Sequence, residues 1–562
     1  MKVLLVYKAH AGGAKDPYTS LLPVGLGYIN AFLQHHGLTS RLANVSSFTW
    51  QQCASLFRTE QPEVVGISQF THNRFESLRL AELAKKTNPS CLVVVGGPHA
   101  THRYREILVR NPAVDVVILG EGERTFLDLV RSWTPSGGCR LDRVKGIAYR
   151  EGETIRCSPV RPVITDLDGL PLPAAYFEDS LGVDPHRQAE FIITSRGCPA
   201  ACSFCASPRF WGKALRLRSP RSIVDEIRYI RDRYGLLYFS IRDDTFTVDR
   251  ERVLEVCRLL LVEKVHILWN CQSRVIAADT VMFEAMRRAG CECIQLGVES
   301  GSSRILRTLG KGIAPEQALR TAKAIREAGI NLSVYLISGV PGESDADIQA
   351  TCDLIEAIRP HDGQVSPLVY YPGTALFSEG VKKGVIGEDL FEKENRESFP
   401  VRHDPSAGRA TRRLLESLEK SAVAGRFTRE DFRRHKRSLG YCHATNLMAG
   451  ESYEEREEWR AAQREYRDII RREPDNPWGW LALADVLAET GQLDGAREAF
   501  REVLTLLPTH APAYAALGEI SRLSGDSTKA GAYYRKALRL NTHNEVAREG
   551  VQMLQNLPRR PR

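Results

Sequence analysis

Arg196-Gly197-Cys198-Pro199-Ala200-Ala201-Cys202-Ser203-Phe204-Cys205 sets three cysteines apart by three and then two residues. The segment follows Phe191 to Thr194, an apolar run that reads as a strand, so the cysteines fall on a loop leaving a strand's C-terminal end. Thiolates are the ligands of iron–sulfur clusters, and a cube of four irons has four corners. Three cysteines leave one corner open. A structural zinc site would want a fourth Cys or His nearby. None follows closely, and the next cysteine, Cys257, lies in an amphipathic helical pattern.

Around this loop, strands alternate with helices. Apolar runs at Phe191 to Thr194, Leu237 to Ile241, His266 to Cys271, Cys293 to Val298, Asn331 to Gly339 and Gly363 to Tyr371 predict strands, with helical patterns between them. Ser219 and Pro220 form an N-cap and first-turn proline, and Gly290 and Gly329 stand where helices close. Six such units predict a partial (β/α)6 barrel over 187–400, with function on the loops after the strand C-termini.

Ahead of the barrel, Lys2 to Tyr7, Val64 to Ser68, Cys91 to Gly97 and Asp115 to Gly120 are dense in Val, Ile and Leu, with amphipathic stretches such as Gly27 to His36 and Phe75 to Lys86 between them. This predicts an α/β domain over 1–135 built on a doubly wound parallel sheet. Lys145 to Pro159 reads as a hairpin about Glu151-Gly152-Glu153, and Asp166 to Pro173 as a proline-rich connector, so 136–186 reads as hairpin and linker.

Behind the barrel the chain repeats every 34 residues: Trp480 pairs with Tyr514, Gly491 with Gly525, Ala496 with Ala530, Phe500 with Tyr534 and Leu504 with Leu538. Ala462, Tyr466 and Ile470 lie one step earlier. This period with small and aromatic alternation is the tetratricopeptide signature of stacked helix pairs. The repeats are expected over 453–556, after a helical connector at 401–452.

The 562 residues exceed what one core can bury. Hydrophobic residues at 43% and charged residues at 26% are ordinary globular values, arguing against disorder or a membrane protein. The net charge of +8 is a modest excess spread without a long basic block, which points toward an anionic partner, though not toward nucleic acid. Met1 to Lys8 is too short an apolar stretch for a signal peptide, and the expected location is the cytoplasm. Thirteen cysteines in such a chain read as free thiols plus a metal site.

The cysteine segment, with Phe204 before the third cysteine, resembles the defining motif of the radical S-adenosylmethionine (SAM) superfamily. Arg242-Asp243-Asp244-Thr245-Phe246 after the second barrel strand, Arg274 after the third, Gly297-Val298-Glu299-Ser300-Gly301 ending the fourth and Val340-Pro341-Gly342-Glu343 after the fifth resemble their family counterparts. The resemblance implies a 4Fe-4S cluster on Cys198, Cys202 and Cys205, whose open iron chelates SAM for reductive cleavage to a 5'-deoxyadenosyl radical. Carboxylates on strand-end loops suit the ribose hydroxyls and ammonium of SAM. Glu299 and Asp243 or Asp244 are the candidates, with Arg274 facing the SAM carboxylate. Taken singly, each acidic residue also reads as a cap or ion-pair member.

The first domain resembles the cobalamin-binding domain found ahead of radical SAM cores. The matching stretches are Leu22-Pro23-Val24-Gly25-Leu26-Gly27-Tyr28, Ser68-Gln69-Phe70-Thr71, Gly96-Gly97-Pro98-His99-Ala100-Thr101 and Gly120-Glu121-Gly122-Glu123. These loops lie where open α/β sheets bind ligands, and glycine lets backbone approach a flat macrocycle. Ser68, Thr71, Gly96, Gly97, Gly120 and Glu121 are the candidate cobalamin contacts. The Asp-x-His-x-x-Gly pattern that supplies an axial histidine in many cobalamin proteins is absent, so His99 is not assigned to cobalt. The same sheet can also hold a nucleotide or no cofactor.

Together the resemblances imply methylation of an unactivated carbon, with the adenosyl radical removing hydrogen and methylcobalamin delivering the methyl group. The alternatives are cyclisation, rearrangement or oxidation with the same cofactors, or a redox-sensing binding module that uses the repeats. An electron donor of flavodoxin or ferredoxin type, a protein partner on the repeats, and a small-molecule or peptide substrate are the expected partners. No motif names a catalytic residue toward the substrate.

Overall fold

The computed structural model describes residues 1–10, 19–134, 138–393 and 396–556; the expected domain boundary at 135/136 lies outside them. Five parallel strands, β1 (Val3–Tyr7), β2 (Ser40–Asn44), β3 (Val64–Ser68), β4 (Leu92–Gly96) and β5 (Val116–Ile118), pair in the order β2-β1-β3-β4-β5. The runs of β1, β3 and β4 are buried nearly throughout, because helices cover both faces of the sheet. Alternate side chains of these strands feed two separate apolar clusters, one on each face. The edge strand β2, Ser-Arg-Leu-Ala-Asn, has no such run. The expected hairpin, β6 (Ile147–Glu151) and β7 (Thr154–Cys157), does more than link domains: β6 pairs antiparallel with β5 and extends the sheet to seven strands. The short β5 would otherwise present an open edge, which Ile147 and Ala148 bury.

Six strands form the second sheet: β8 (Phe191–Ile192), β9 (Tyr238–Ile241), β10 (Leu268–Arg274), β11 (Cys291–Glu299), β12 (Asn331–Ser338) and β13 (Asp362–Pro367). They pair in sequence order, all parallel, as a partial barrel. Pro220 opens the helix Pro220–Tyr234, where the Ser219 side chain accepts from the Ser222 N–H. Gly290 and Gly329 take φ of 92° and 76° just past helix ends, the left-handed closure only glycine makes cheaply. Among the described residues no helix is long and apolar enough to cross a membrane.

Helix pairs follow from His443 onward: His443–Glu454 with Trp459–Arg472, Pro477–Glu489 with Leu493–Leu506, Ala511–Leu523 with Ser527–Leu540, closed by Glu545–Gln555. The array therefore begins earlier than 453. Its unit is a small residue under an aromatic ring. A Cβ on Gly450 would collide with Tyr466, and one on Gly518 with Tyr534; Ala484 and Phe500 occupy the equivalent places one 34-residue step from each.

The repeats rest on the barrel. Arg287, fully buried, donates from Nε to Thr445 Oγ1 at 3.2 Å and from Nη1 to the Cys291 carbonyl at 3.2 Å. A Cβ on Gly235 would stand 2.5 Å from the Thr509 carbonyl oxygen, so these backbones touch directly.

The first sheet and the barrel are joined by buried charge. Arg196 donates from Nη1 to Glu121 Oε1 at 2.8 Å and from Nη2 to Glu123 Oε1 at 2.5 Å. Arg216 donates from Nη1 to the same Glu121 oxygen at 2.7 Å, and the Ile164 N–H donates to Oε2 at 2.7 Å. All four side chains are 6% exposed or less. Burial pushes the Glu121 carboxyl up, but the Arg196 charge and the hydrogen bonds from Ile164, Arg196 and Arg216 outweigh it and hold it below the usual carboxylate range.

Arg196→Met would leave Glu123 buried without its partner, and the expected loss is about 3–5 kcal/mol in denaturant unfolding; a change under about 1 kcal/mol would show that the clamp does not hold the domains. Because the folded Glu121 is depressed, its contribution is complete above the unfolded value of about 4.3 and disappears as pH falls through the lower folded value. Acid titration of the parent should therefore lose stability below that point more steeply than titration of Glu121→Gln.

Candidate functional site

The three cysteines lie on the loop between β8 and the helix Ser207–Phe210. Gly197 takes φ of 95° and passes the Ala214 carbonyl so closely that no Cβ fits, which turns the chain into the loop. Cys198 is buried, while Cys202 and Cys205 are half-buried. Burial, with Asp244, Cys202 and Cys198 nearby, pushes the Cys205 thiol up to about 11. Three sulfurs gathered on one loop are the donor set that a cluster with one open iron takes. Arg274, the last residue of β10, donates from Nη1 to Cys202 Sγ at 3.5 Å and from Nη2 to the Lys311 carbonyl at 3.1 Å.

Glu299 ends β11 with φ of 69°, a left-handed conformation that a glutamate adopts at a cost. A register shift between Gly297 and Glu299 accompanies it. Its Oε1 accepts from Lys311 Nζ at 2.6 Å, with both side chains largely buried. Gly297 makes room for the pair, since a Cβ there would stand 2.9 Å from the Glu299 oxygen and 3.0 Å from the Lys311 nitrogen. Lys311 escaped the sequence reading because it follows a helix, outside any strand-end motif.

The two adjacent aspartates differ. Asp243 is buried and engaged: the Thr194 and Ser195 N–H groups donate to Oδ1 at 2.6 and 3.1 Å, and Thr194 Oγ1 donates to Oδ2 at 2.5 Å. Arg252 adds a contact at 3.4 Å, so this carboxylate pins the chain just ahead of the cysteines. Asp244 is exposed, accepts from Ser207 Oγ just beyond the cysteine loop, and is raised by partial desolvation.

On the first sheet, a cavity of about 300 Å³ lies at the strand C-termini. Ser68, Gly96, Gly97, Gly120 and Glu121 line it, together with Gly66, Phe126, Ile193, Phe210 and Trp211. A Cβ on Gly120 would meet nothing and one on Gly96 only Ile118 at 3.6 Å, so bare backbone faces the space. Such a glycine-floored apolar wall fits a flat macrocycle. Thr71 does not line this cavity; it is buried, with Oγ1 at 3.1 Å from His99 Nδ1. His99 in turn packs edge-on to Phe391, and neither it nor His102 lines the cavity. Glu121 lines it but commits its carboxylate to Arg196, Arg216 and Ile164, a use no local motif announces.

A second cavity, about 710 Å³, spans both sheets between Tyr7, Phe70 and His72 on one side and Arg242, Gln272, Gln295, Tyr335 and Gln364 on the other. Gln272 faces Gln295 in register, and Tyr335 faces Gln364, so an amide row crosses the inner barrel face. A glutamine on each of three barrel strands, Gln272, Gln295 and Gln364, is the sequence trace of this row.

Comparison with known proteins agrees with this geometry. The family model of the radical SAM superfamily matches residues 192–355, that of the B12 binding domain 15–130, and tetratricopeptide repeat models 447–511 and 511–544. An uncharacterised methyltransferase of Pyrococcus horikoshii is 30% identical over 392 residues, covering 69% of this chain and 84% of that protein. The anaerobic magnesium-protoporphyrin IX monomethyl ester cyclase of Rubrivivax gelatinosus is 27% identical, covering 70% and 72%. Among solved structures, the radical SAM methyltransferase TsrM from Kitasatospora setae, with cobalamin and a 4Fe-4S cluster bound, shares the fold at a TM-score of 0.59 and 17% identity, covering 80% of this chain and 95% of that one. With its cysteine loop, its glycine-floored first sheet and these matches, the chain belongs to the radical SAM superfamily, in the cobalamin-dependent branch that carries a B12 binding domain ahead of the barrel.

Proposed function

We propose that this enzyme methylates an unactivated carbon of a polar substrate held between the two sheets. The observation that carries the reading is a shared wall: Phe210 and Trp211, just beyond Cys205, line the glycine cavity of the first sheet, so the two cofactor sites adjoin. In this reading Cys198, Cys202 and Cys205 hold the cluster, Glu299, Asp244 and Arg274 hold SAM, and Ser68, Gly96, Gly97 and Gly120 floor the cobalamin. When bound, the cluster supplies the electron that cleaves SAM to a 5'-deoxyadenosyl radical, and cobalamin supplies the methyl group.

The chain's own residues position and exclude. Lys311 fixes one oxygen of Glu299, which leaves the other to accept the SAM ammonium. Arg274 donates toward Cys202 and keeps positive charge beside the sulfur ligands. Asp243 and Arg252 set the height of the cysteine loop by holding Thr194 from both sides. Arg242 and the row Gln272, Gln295 and Gln364 present one positive charge and several amides to the larger cavity, which suits a substrate bearing carbonyl or anionic oxygen. A low-potential electron donor of flavodoxin or ferredoxin type is the partner this chemistry requires. The repeats, of a class that holds peptides or helices in grooves, would take a protein partner.

The cyclase among the relatives favours a second reading, ring closure with the same cofactors. Atom balance separates the two. Repeated methylation consumes one SAM for the radical and one for the methyl group, so 5'-deoxyadenosine and S-adenosylhomocysteine should form in equal amounts over many turnovers. Abundant 5'-deoxyadenosine without S-adenosylhomocysteine would replace methylation by cyclisation.

Anaerobically reconstituted Cys205→Ala should lose the cluster, since among the described residues no fourth thiol stands on the cysteine loop, whereas Lys311→Met should keep full iron and bind SAM about tenfold more weakly, roughly the worth of one charge-assisted hydrogen bond. Full iron in the first variant, or unchanged SAM affinity in the second, contradicts the assignment.

Gly96→Leu places a side chain in the first cavity and should abolish cobalamin retention with iron unchanged. Electron paramagnetic resonance of the reduced cobalamin on the parent enzyme should show no nitrogen splitting from a histidine. Retention of cobalamin by Gly96→Leu would move the site elsewhere.

A further inference from the structure

At the N-terminal ends of the barrel strands, opposite the cysteine loop, ligand-type side chains from three segments converge. His266 stands just ahead of β10, His443 opens the helix His443–Glu454, and Glu473 follows the helix Trp459–Arg472. Their ligand atoms all lie within 4.8 Å of one another. Glu473 Oε2 is 3.6 Å from His266 Nδ1 and 3.8 Å from His443 Nδ1. These separations are too long for hydrogen bonds. They approach the edge of about 3.4 Å expected for a tetrahedron with metal–ligand bonds near 2.0–2.1 Å.

The surroundings complete the pattern. The His266 and His443 side chains are 11% and 5% exposed, and Nε2 of each is buried without a hydrogen-bond partner. With Nδ1 of each ring turned toward Glu473, Nε2 carries the proton and needs an acceptor beyond the ring. Beyond each ring lies an oxygen of the kind that orients metal-bound histidines. Asp475 Oδ1 is 3.7 Å from His266 Nε2, and the Ile267 carbonyl lies beside the His443 ring near Nε2, where Gly290 makes room. A cavity of about 390 Å³ borders the group and has space for a water as a fourth ligand.

We propose that His266, His443 and Glu473 bind a divalent metal of the zinc type, tying the first repeat to the floor of the barrel. Two imidazoles and a carboxylate suit zinc in ligand type, and a closing water gives four-coordination. The site lies away from the strand C-termini where this fold places its chemistry, so its role is architectural.

The test uses the full chain carrying Cys198→Ser, Cys202→Ser and Cys205→Ser, so that the cluster cysteines cannot hold zinc. Stripped with chelator, loaded with zinc chloride and desalted, it should retain one zinc per chain, with a nitrogen and oxygen shell in X-ray absorption and a raised thermal midpoint. Glu473→Gln or His443→Ala in the same background should weaken zinc binding at least tenfold. Glu473→Gln preserves shape, and cobalt(II) loaded into the same triple-serine chain should give the visible bands of a tetrahedral nitrogen and oxygen site, so the proposal stands or falls even if His443→Ala does not fold. No retained zinc, sulfur in its shell, or unchanged affinity in Glu473→Gln would overturn it.

Discussion

The contact of Arg196 with Glu121 and Glu123 sets the frame for everything else. Burying carboxylates and guanidiniums is costly, and it is tolerated only where every charge meets its partner in good geometry. That condition selects one placement of the first sheet against the barrel. Arg196 stands two residues before Cys198, so the same condition sets the cysteine loop's position relative to the glycine cavity. The clamp therefore acts on specificity of arrangement more than on net stability. The linker joins it too, because the Ile164 N–H and carbonyl bond Glu121 and Arg216.

The division between Asp243 and Asp244 shows how a short motif spreads its tasks. Side chains alternate along an extended segment, so adjacent residues point to opposite sides. One carboxylate is spent inside on Thr194, Ser195 and Arg252, and the next reaches the open side. The left-handed backbone at Glu299 is a comparable device: it lifts a carboxylate off the strand and toward Lys311, at a conformational cost the surrounding barrel must hold.

Much of this was legible in the residues. Strands such as Val-Leu-Leu-Val-Tyr, buried on both faces, announce themselves by composition, and the cysteine spacing with its strand context indicates a cluster. The edge strand β2 was not, because Ser40, Arg41 and Asn44 interrupt its apolar residues although four of its five positions are buried. Nor was the role of Glu121, whose partners lie 75 and 95 residues away. The helix His443–Glu454 was missed as a repeat element because it is buried nearly all round, with no amphipathic stripe. Its one local sign was Gly450, a 34-residue step before Ala484.

That helix also changes where the chain can be divided. Helical repeats are usually treated as interchangeable cassettes, joined or exchanged at a flexible seam. Here the first helix of the array is built into the barrel by Arg287 on Thr445 and by Cys442, whose thiol donates to the Arg287 carbonyl. A recombination breakpoint just after this helix would leave the barrel with an unpaired apolar helix and the array without its first partner. The third helix pair is tied down as well, through Thr509 against Gly235 and the Asp232 carbonyl, so a cut anywhere before it would break a barrel contact.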